Sequence, residues 1–214
     1  MDNVAVIIGA TGAVGREILE EVLEKDFYKK VYVLGRSSVT KLVDNEKLEK
    51  IVVDFENLEF DINILNNADV FAALGTTIKI AKTKENQRKI DLGYTINFAK
   101  MCEGRVKSFN VVSAIAANSR SKSFYSSLKG ELEEQLQKMN LGTLRIYRPS
   151  LLIAKRVDKR MMEGFFIKLS PILKFILHGK FKKYSPIEVE LLGKEMVRFA
   201  IENKGEKTYT YNDF

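Results

Sequence analysis

The 214-residue chain has one cysteine, one histidine, three prolines and no tryptophan. A lone Cys102 forbids an internal disulfide, and Cys102 with His178 falls short of the ligand set of a structural zinc site. Three prolines and thirteen glycines leave no Pro/Gly-rich linker, and no repeat or low-complexity tract interrupts the chain. No apolar run approaches the roughly 20 residues that span a bilayer. The N-terminus, Met1-Asp2-Asn3 before a short run from Val4 to Ile8, lacks the basic flank and long apolar stretch of a secretory signal. These absences lead to the expectation of a cytoplasmic protein with no transmembrane segment and no metal site.

The net charge of +7 is unevenly distributed. Between Lys155 and Lys183 nine Lys and Arg face only Asp158 and Glu163, so this one segment carries the whole excess. A nucleic-acid binder usually spreads its basic surface more widely, which argues against that class.

What is present is alternation. Val4 to Ile8 is a wholly apolar run, as expected of a strand buried on both faces of a parallel sheet. Gly12 to Leu23 follows with apolar residues at helical spacing (Val14, Ile18, Val22). Val31–Leu34, Lys50–Val53, Val70–Ala73, Ser108–Val112 and Gly142–Tyr147 read as further strands, and Lys84–Cys102 and Phe124–Lys138 as helices between them. This order predicts an α/β fold: one doubly wound parallel-sheet domain over 1–214. Beyond Arg148-Pro149 the alternation stops. Lys159–Leu169 and Pro171–His178 read as two short helices forming a small helical cap over 155–183. A last helix at Pro186–Asn203 and a terminal strand at Lys207–Tyr211 complete the chain.

Ile8-Gly9-Ala10-Thr11-Gly12-Ala13-Val14-Gly15 sits where the first strand becomes the first helix. In such a turn Gly9 permits the sharp bend, Gly12 lets backbone approach a pyrophosphate, and Gly15 lets the helix pack close on the sheet. The helix N-terminus then offers N–H groups to phosphate. The spacing is G-x-x-G-x-x-G, and no Gly-Lys-Ser/Thr follows, so a P-loop is excluded. The second strand ends in Gly35-Arg36-Ser37. A carboxylate there would receive the ribose 2′-OH of NAD, whereas Arg36 suits the 2′-phosphate, so NADP(H) is favoured over NAD(H).

Tyr125 and Lys129 lie four apart on one helix face, and Ser113 ends the strand before that helix. Together they offer a phenol as acid or base, an ammonium to stabilise phenolate, and a hydroxyl for a substrate oxygen.

This ordered set resembles the atypical short-chain dehydrogenase/reductases, which are Rossmann proteins, and within them the Tat-interacting oxidoreductase-like family. The likeness rests on Gly9-Ala10-Thr11-Gly12, Leu34-Gly35-Arg36, Leu74-Gly75-Thr76-Thr77, Phe109 to Ser113, Tyr125 to Lys129 and Arg148-Pro149, and spans about 4–153. The resemblance implies that Thr11, Gly12, Ala13, Val14, Arg36 and Ser37 touch the adenosine phosphates. It places Asp54 and Phe55 at the adenine, Ala73, Leu74 and Gly75 at its ribose, and Tyr125, Lys129 and Leu152 at the nicotinamide. Asp91 stands where many extended members carry asparagine, which counts against a water-mediated proton relay there.

The expected activity is therefore NADP(H)-dependent hydride transfer to or from a carbonyl or alcohol substrate, with Ser113, Tyr125 and Lys129 catalytic. The rival reading is a nucleotide-sensing regulator or protein-binding scaffold without turnover. A sugar-nucleotide epimerase is disfavoured by the short stretch left after Pro149. Arg156, Lys159 and Arg160 stand at the start of the basic cap, within reach of a cofactor phosphate or an anionic or amphipathic substrate; the segment reads first as a structural helical cap, with a mobile lid or a contact to an anionic membrane surface as the sharper alternatives. Oligomeric state is left open. His178 reads as a surface residue, Cys102 as core, and Glu131 to Lys138 as a solvated face.

Overall fold

The computed structural model describes residues 3–153 and 185–213. The cap segment, with Arg156, Lys159, Arg160 and His178, falls outside the described residues.

Strand β1 (Asn3–Ile8) leads into helix α1 (Ala13–Glu24), then β2 (Tyr28–Gly35), β3 (Leu48–Val52) and β4 (Asp69–Ala72). Short helices α2 (Ile78–Ala81) and α3 (Lys84–Arg88) follow, with a π-helical turn at Lys89–Tyr94 and helix α4 (Thr95–Cys102). The chain continues through β5 (Ser108–Val112), α5 (Phe124–Leu136), β6 (Thr143–Tyr147) and β7 (Leu152–Ile153). Beyond the cap come β8 (Ile187–Glu188), α6 (Val189–Ile201) and β9 (Lys207–Tyr209).

Seven strands form one sheet in the order β3-β2-β1-β4-β5-β6-β9. Every neighbouring pair is parallel. This is the doubly wound Rossmann arrangement, with its switch point between β1 and β4. Strand periodicity explains the two cores. Val6 and Ile8 join Val70, Phe109 and Val111 against α4 and α5, where Phe98, Leu128 and Leu132 lie. Ala5 and Ile7 point the other way, joining Val31, Val33 and Phe71 against Ile18 and Val22 of α1 and Met196 of α6. Ala5 to Ile8 have no exposed surface at all, which is why that strand reads as a continuous apolar run.

Several elements depart from the sequence reading. The single helix expected over Lys84–Cys102 is divided by the π turn, which turns Asp91 inward. The helix expected from Pro186 starts at Val189, because Ile187 and Glu188 pair instead with Leu152 and Ile153. Ile187 N–H donates to Leu151 O at 2.9 Å to begin that pairing. Helix α2 has no counterpart in the expected elements. Cys102 is core, as expected, with no exposed surface.

Candidate functional site

The glycine loop follows from its steric limits. Gly9 has φ +86°, and a Cβ placed there would lie 2.5 Å from the Ala73 carbonyl carbon at the end of β4. Gly12 N–H donates to Gly9 O at 3.0 Å, closing the turn. A Cβ at Gly15 would lie 2.1 Å from Gly9 O, so α1 can pack this closely on its own strand only with glycine there. The first helical bond of α1 is Arg16 N–H to Gly12 O at 3.1 Å, and no side chain caps the N-terminus. The N–H groups of Ala13, Val14 and Gly15 therefore precede that first bond, the condition for holding a phosphate. Gly15→Ala is expected to cost about 1–3 kcal/mol of stability through overpacking, and to weaken NADPH binding with it. A thermal melt and an NADPH titration check both, and unchanged values in both would refute this account of the loop.

Arg36 lies at the end of β2 as the cap of a 3₁₀ turn, Ser37–Lys41, and its side chain is exposed with no ion pair to any described residue. Ser37 is also exposed and Thr11 half-buried, both at the same carboxyl edge of the sheet. Asp54 is exposed, with Oδ1 accepting from Glu56 N–H at 2.9 Å. The Phe55 ring is buried and stacks on Tyr94 at 5.4 Å, so it is committed to the core. Ala73 and Leu74 are half-buried and Gly75 exposed, directly after β4. Leu152 is half-buried in β7.

Tyr125, Lys129 and Glu133 follow one another at one-turn spacing along α5, on the face turned to the end of β5. Lys129 is buried and donates from Nζ to Val112 O at 3.1 Å. Burial pulls its pKa down, opposed by the Asp91 and Glu133 carboxylates. Ser113 is 3% exposed, and its hydroxyl donates to Glu133 Oε1. Glu133 also accepts a fork from Arg148: Nε donates to Oε1 at 2.9 Å and to Oε2 at 3.2 Å, with a third bond from Nη2 to Oε2. Tyr125 is the most open of the group, with 39% of its surface exposed. Its phenol is pushed up to about 12, first by desolvation and second by the Asp91 carboxylate.

Two of these residues were not singled out by the sequence reading. Glu133 fell within the stretch read as a solvated face, yet it is 3% exposed. Its spacing of four from Lys129 was the available signal. Arg148 was quoted only as part of a motif, and its partner lies 15 residues away in sequence.

Asp91, at 1% exposure, occupies the π turn packed against α5. Its Oδ1 accepts from Thr76 N–H at 2.6 Å. Gln87 Nε2 donates to Thr76 O at 3.2 Å and reaches Asp91 Oδ2 at 3.5 Å. Two side chains one turn apart thus hold both backbone groups of Thr76, fixing the loop after β4. Burial raises the Asp91 pKa, while Lys129, the Thr76 N–H and Gln87 oppose that shift.

Comparison with known proteins gives the same outline. A family model described as NAD(P)H-binding matches residues 9–145. Protein HTATIP2 of Rattus norvegicus is 32% identical over 75% of this chain and 67% of its own length. Protein FMP52-1, mitochondrial, of Scheffersomyces stipitis is 30% identical over 98% of this chain and 91% of its own. In structure, the UDP-N-acetylglucosamine 4-epimerase of Methanobrevibacter ruminantium superposes with a TM-score of 0.71 at 18% identity, covering 99% of this chain and 79% of the epimerase. At that identity the likeness is one of fold. The expectation of a cytoplasmic location is overturned: the yeast relatives are named as mitochondrial proteins. The short N-terminus before β1 had been read from the absence of a secretory signal alone, which does not bear on mitochondria. Among the described residues no helix is long and apolar enough to cross a membrane.

Proposed function

The chain belongs to the NAD(P)H-binding family, and we propose that it is an NADP(H)-dependent oxidoreductase of the short-chain dehydrogenase/reductase type, acting on a small carbonyl or alcohol substrate. The observation that carries this reading is a juxtaposition. The glycine loop after β1, Arg36 after β2, the clamped loop after β4 and Ser113 after β5 all lie at the carboxyl edge of one parallel sheet. Ligands of open α/β sheets bind at that edge, near the switch point.

The residues fit the cofactor. The cradle at Gly9 and Gly15 excludes side chains, the N-terminus of α1 lacks a side-chain cap, and Arg36, exposed and without an ion pair to any described residue, offers its guanidinium to a 2′-phosphate. When bound, the nicotinamide supplies or accepts the hydride. Tyr125 donates a proton to the substrate oxygen in reduction and takes it back in oxidation. Lys129 supplies positive charge near that phenol. Ser113 donates to Glu133 here, so its hydroxyl must turn away from that carboxylate before it can donate to a substrate oxygen.

Arg36→Glu is expected to weaken NADPH binding by about 2 kcal/mol, roughly 30-fold, because attraction for the 2′-phosphate becomes repulsion. NADH binding should change far less. Fluorescence titration of both nucleotides against both proteins tests this, and an unaltered preference removes Arg36 from the site. Turnover of NADPH with a panel of aldehydes and ketones tests the reaction itself. Tight NADPH binding with no turnover on any of them would favour the nucleotide-sensing regulator.

A further inference from the structure

Helix α2 turns its apolar residues outward. Ala81 is its one buried residue, while Ile80 keeps 66% of its surface exposed and Ile78 49%. The two isoleucines lie two positions apart, so they crown the turn from different sides rather than share a face. Single apolar side chains on a surface are ordinary. These are not single: of the six large apolar residues exposed among the described ones, two are in this turn and a third is Tyr125, the proposed acid.

The crown is held in place, and held beside that acid. Thr77 Oγ1 accepts from Ile80 N–H at 3.3 Å and starts the turn. The residue before it, Thr76, is gripped on both backbone groups by Asp91 and Gln87. At the other end Lys82, with φ +69°, bends the chain back, and Asn86 Nδ2 of α3 donates to Ala81 O at 3.2 Å. Lys84, the first residue of α3, then reaches over the ring of Phe124, with Nζ 5.6 Å from its centroid. Phe124 is the first residue of α5 and the chain neighbour of Tyr125. Polar bonds at both ends of a four-residue turn thus keep two isoleucines in water on the side where Tyr125 opens.

Charge selects what would cover them. From Gly75 to Lys84 there are three lysines, Lys79, Lys82 and Lys84, and the first carboxylate is Glu85 beyond them on α3. Neither Lys82 nor Lys84 has an ion pair to any described residue. The chain's own stretch between Ile153 and Ser185 carries nine Lys and Arg against Asp158 and Glu163, the wrong sign for this ridge. A second copy of the same face has the wrong sign too, and four residues fall far short of the roughly 1,000 Å² of a stable interface.

We propose that α2 is the apolar lip of the substrate site and that the substrate is an amphipathic anion. Its aliphatic body lies on Ile78 and Ile80, its anionic group beside Lys82 and Lys84, and its reactive carbon at Tyr125. This rests on the oxidoreductase reading above and names the class of carbonyl or alcohol that the protein acts on.

Octanoate is the probe, with butyrate and octanol as controls that each lack one half of it. In protein labelled with ¹³C at the isoleucine δ1 methyls, the two signals are identified by their loss in Ile78→Val and Ile80→Val. Both should move, and saturate, as octanoate is added to the NADPH-loaded protein, and neither should move with butyrate. By calorimetry, Ile78→Ser with Ile80→Ser should weaken octanoate about tenfold, and NADPH less than about twofold. Lys82→Gln with Lys84→Gln should weaken octanoate about tenfold and leave octanol within about twofold. Methyls that stay put in octanoate overturn the proposal, as does octanol binding as tightly as octanoate. So does movement that needs phosphatidylglycerol vesicles, which would make the ridge a membrane contact. Movement on raising protein concentration alone would make it a contact between copies, and overturns the proposal equally. None of these readings requires turnover. Octanoate binding without NADPH oxidation by the matching aldehyde acid would count against the oxidoreductase reading and leave the lip in place, so the two fail separately.

Discussion

Tyr125→Phe is expected to lower turnover by roughly 10²–10⁴-fold, the usual contribution of a positioned acid or base. At 1.36 kcal/mol per tenfold this is about 3–5 kcal/mol of transition-state stabilisation lost with one oxygen atom. The substitution removes no core contact of consequence, because Tyr125 keeps 39% of its surface exposed and no described hydrogen bond uses its hydroxyl. The fold and NADPH affinity should therefore survive, which a thermal melt and a nucleotide titration would verify. The loss should fall on kcat and kcat/KM alike, since the missing bond is made only as charge develops on the substrate oxygen. Full activity in Tyr125→Phe, on any carbonyl substrate the protein reduces, would refute Tyr125 as the acid.

How much of this was readable from residues alone depended on how local each cause is. Strands β1, β4 and β5 announced themselves because helices cover both sheet faces, leaving no polar side to disguise them. The glycine loop was equally legible, since its requirements are steric and lie within eight residues. Strand β2 was read three residues short. It opens with Tyr28-Lys29-Lys30, whose charges conceal a Tyr28 ring with no exposed surface and a hydroxyl bonded to Asp69 at 3.1 Å. The π turn was invisible because one widened turn barely disturbs the apolar spacing from Ile90 to Met101. Strands β7 and β8 are two residues each and pair across 35 positions, far beyond any periodicity.

At the site the same limit applies more sharply. Sequence identified Tyr125, Lys129 and Ser113 as one group, and they do share the edge between α5 and β5. What it lacked was the identity of their partners. The bond from Ser113 to Glu133, and the anchoring of the Thr76 loop by Asp91, come from contacts made only after the sheet and its helices assemble. The resemblance put Phe55 at the adenine, and the stacking of its ring on Tyr94 is a contact that the spacing of the two residues does not announce. Position along the chain located each residue, and tertiary contact decided what its side chain was free to do.

Arg148→Ala puts the most consequential of those contacts at risk, and it is expected to destabilise the protein by about 3–5 kcal/mol. Glu133 has 4% side-chain exposure, so water cannot take over from the guanidinium. The remaining donor, Ser113, is neutral and supplies one bond where the fork supplied three. The backbone bond from Arg148 N–H to Tyr209 O, at 2.8 Å, is kept in alanine, so the cost belongs to the side chain. For a chain of this size each kcal/mol moves Tm by about 2–4 °C, which puts the expected fall near 10 °C. Replacing both partners, as Glu133→Leu with Arg148→Met, should recover most of that loss, because an apolar pair of similar volume avoids the desolvation cost of an unpaired charge. In the double variant the Ser113 hydroxyl no longer donates to a carboxylate and is released toward a substrate oxygen, so turnover and NADPH affinity should both hold. A single variant that costs less than about 1 kcal/mol would mean the pair behaves as a surface ion pair.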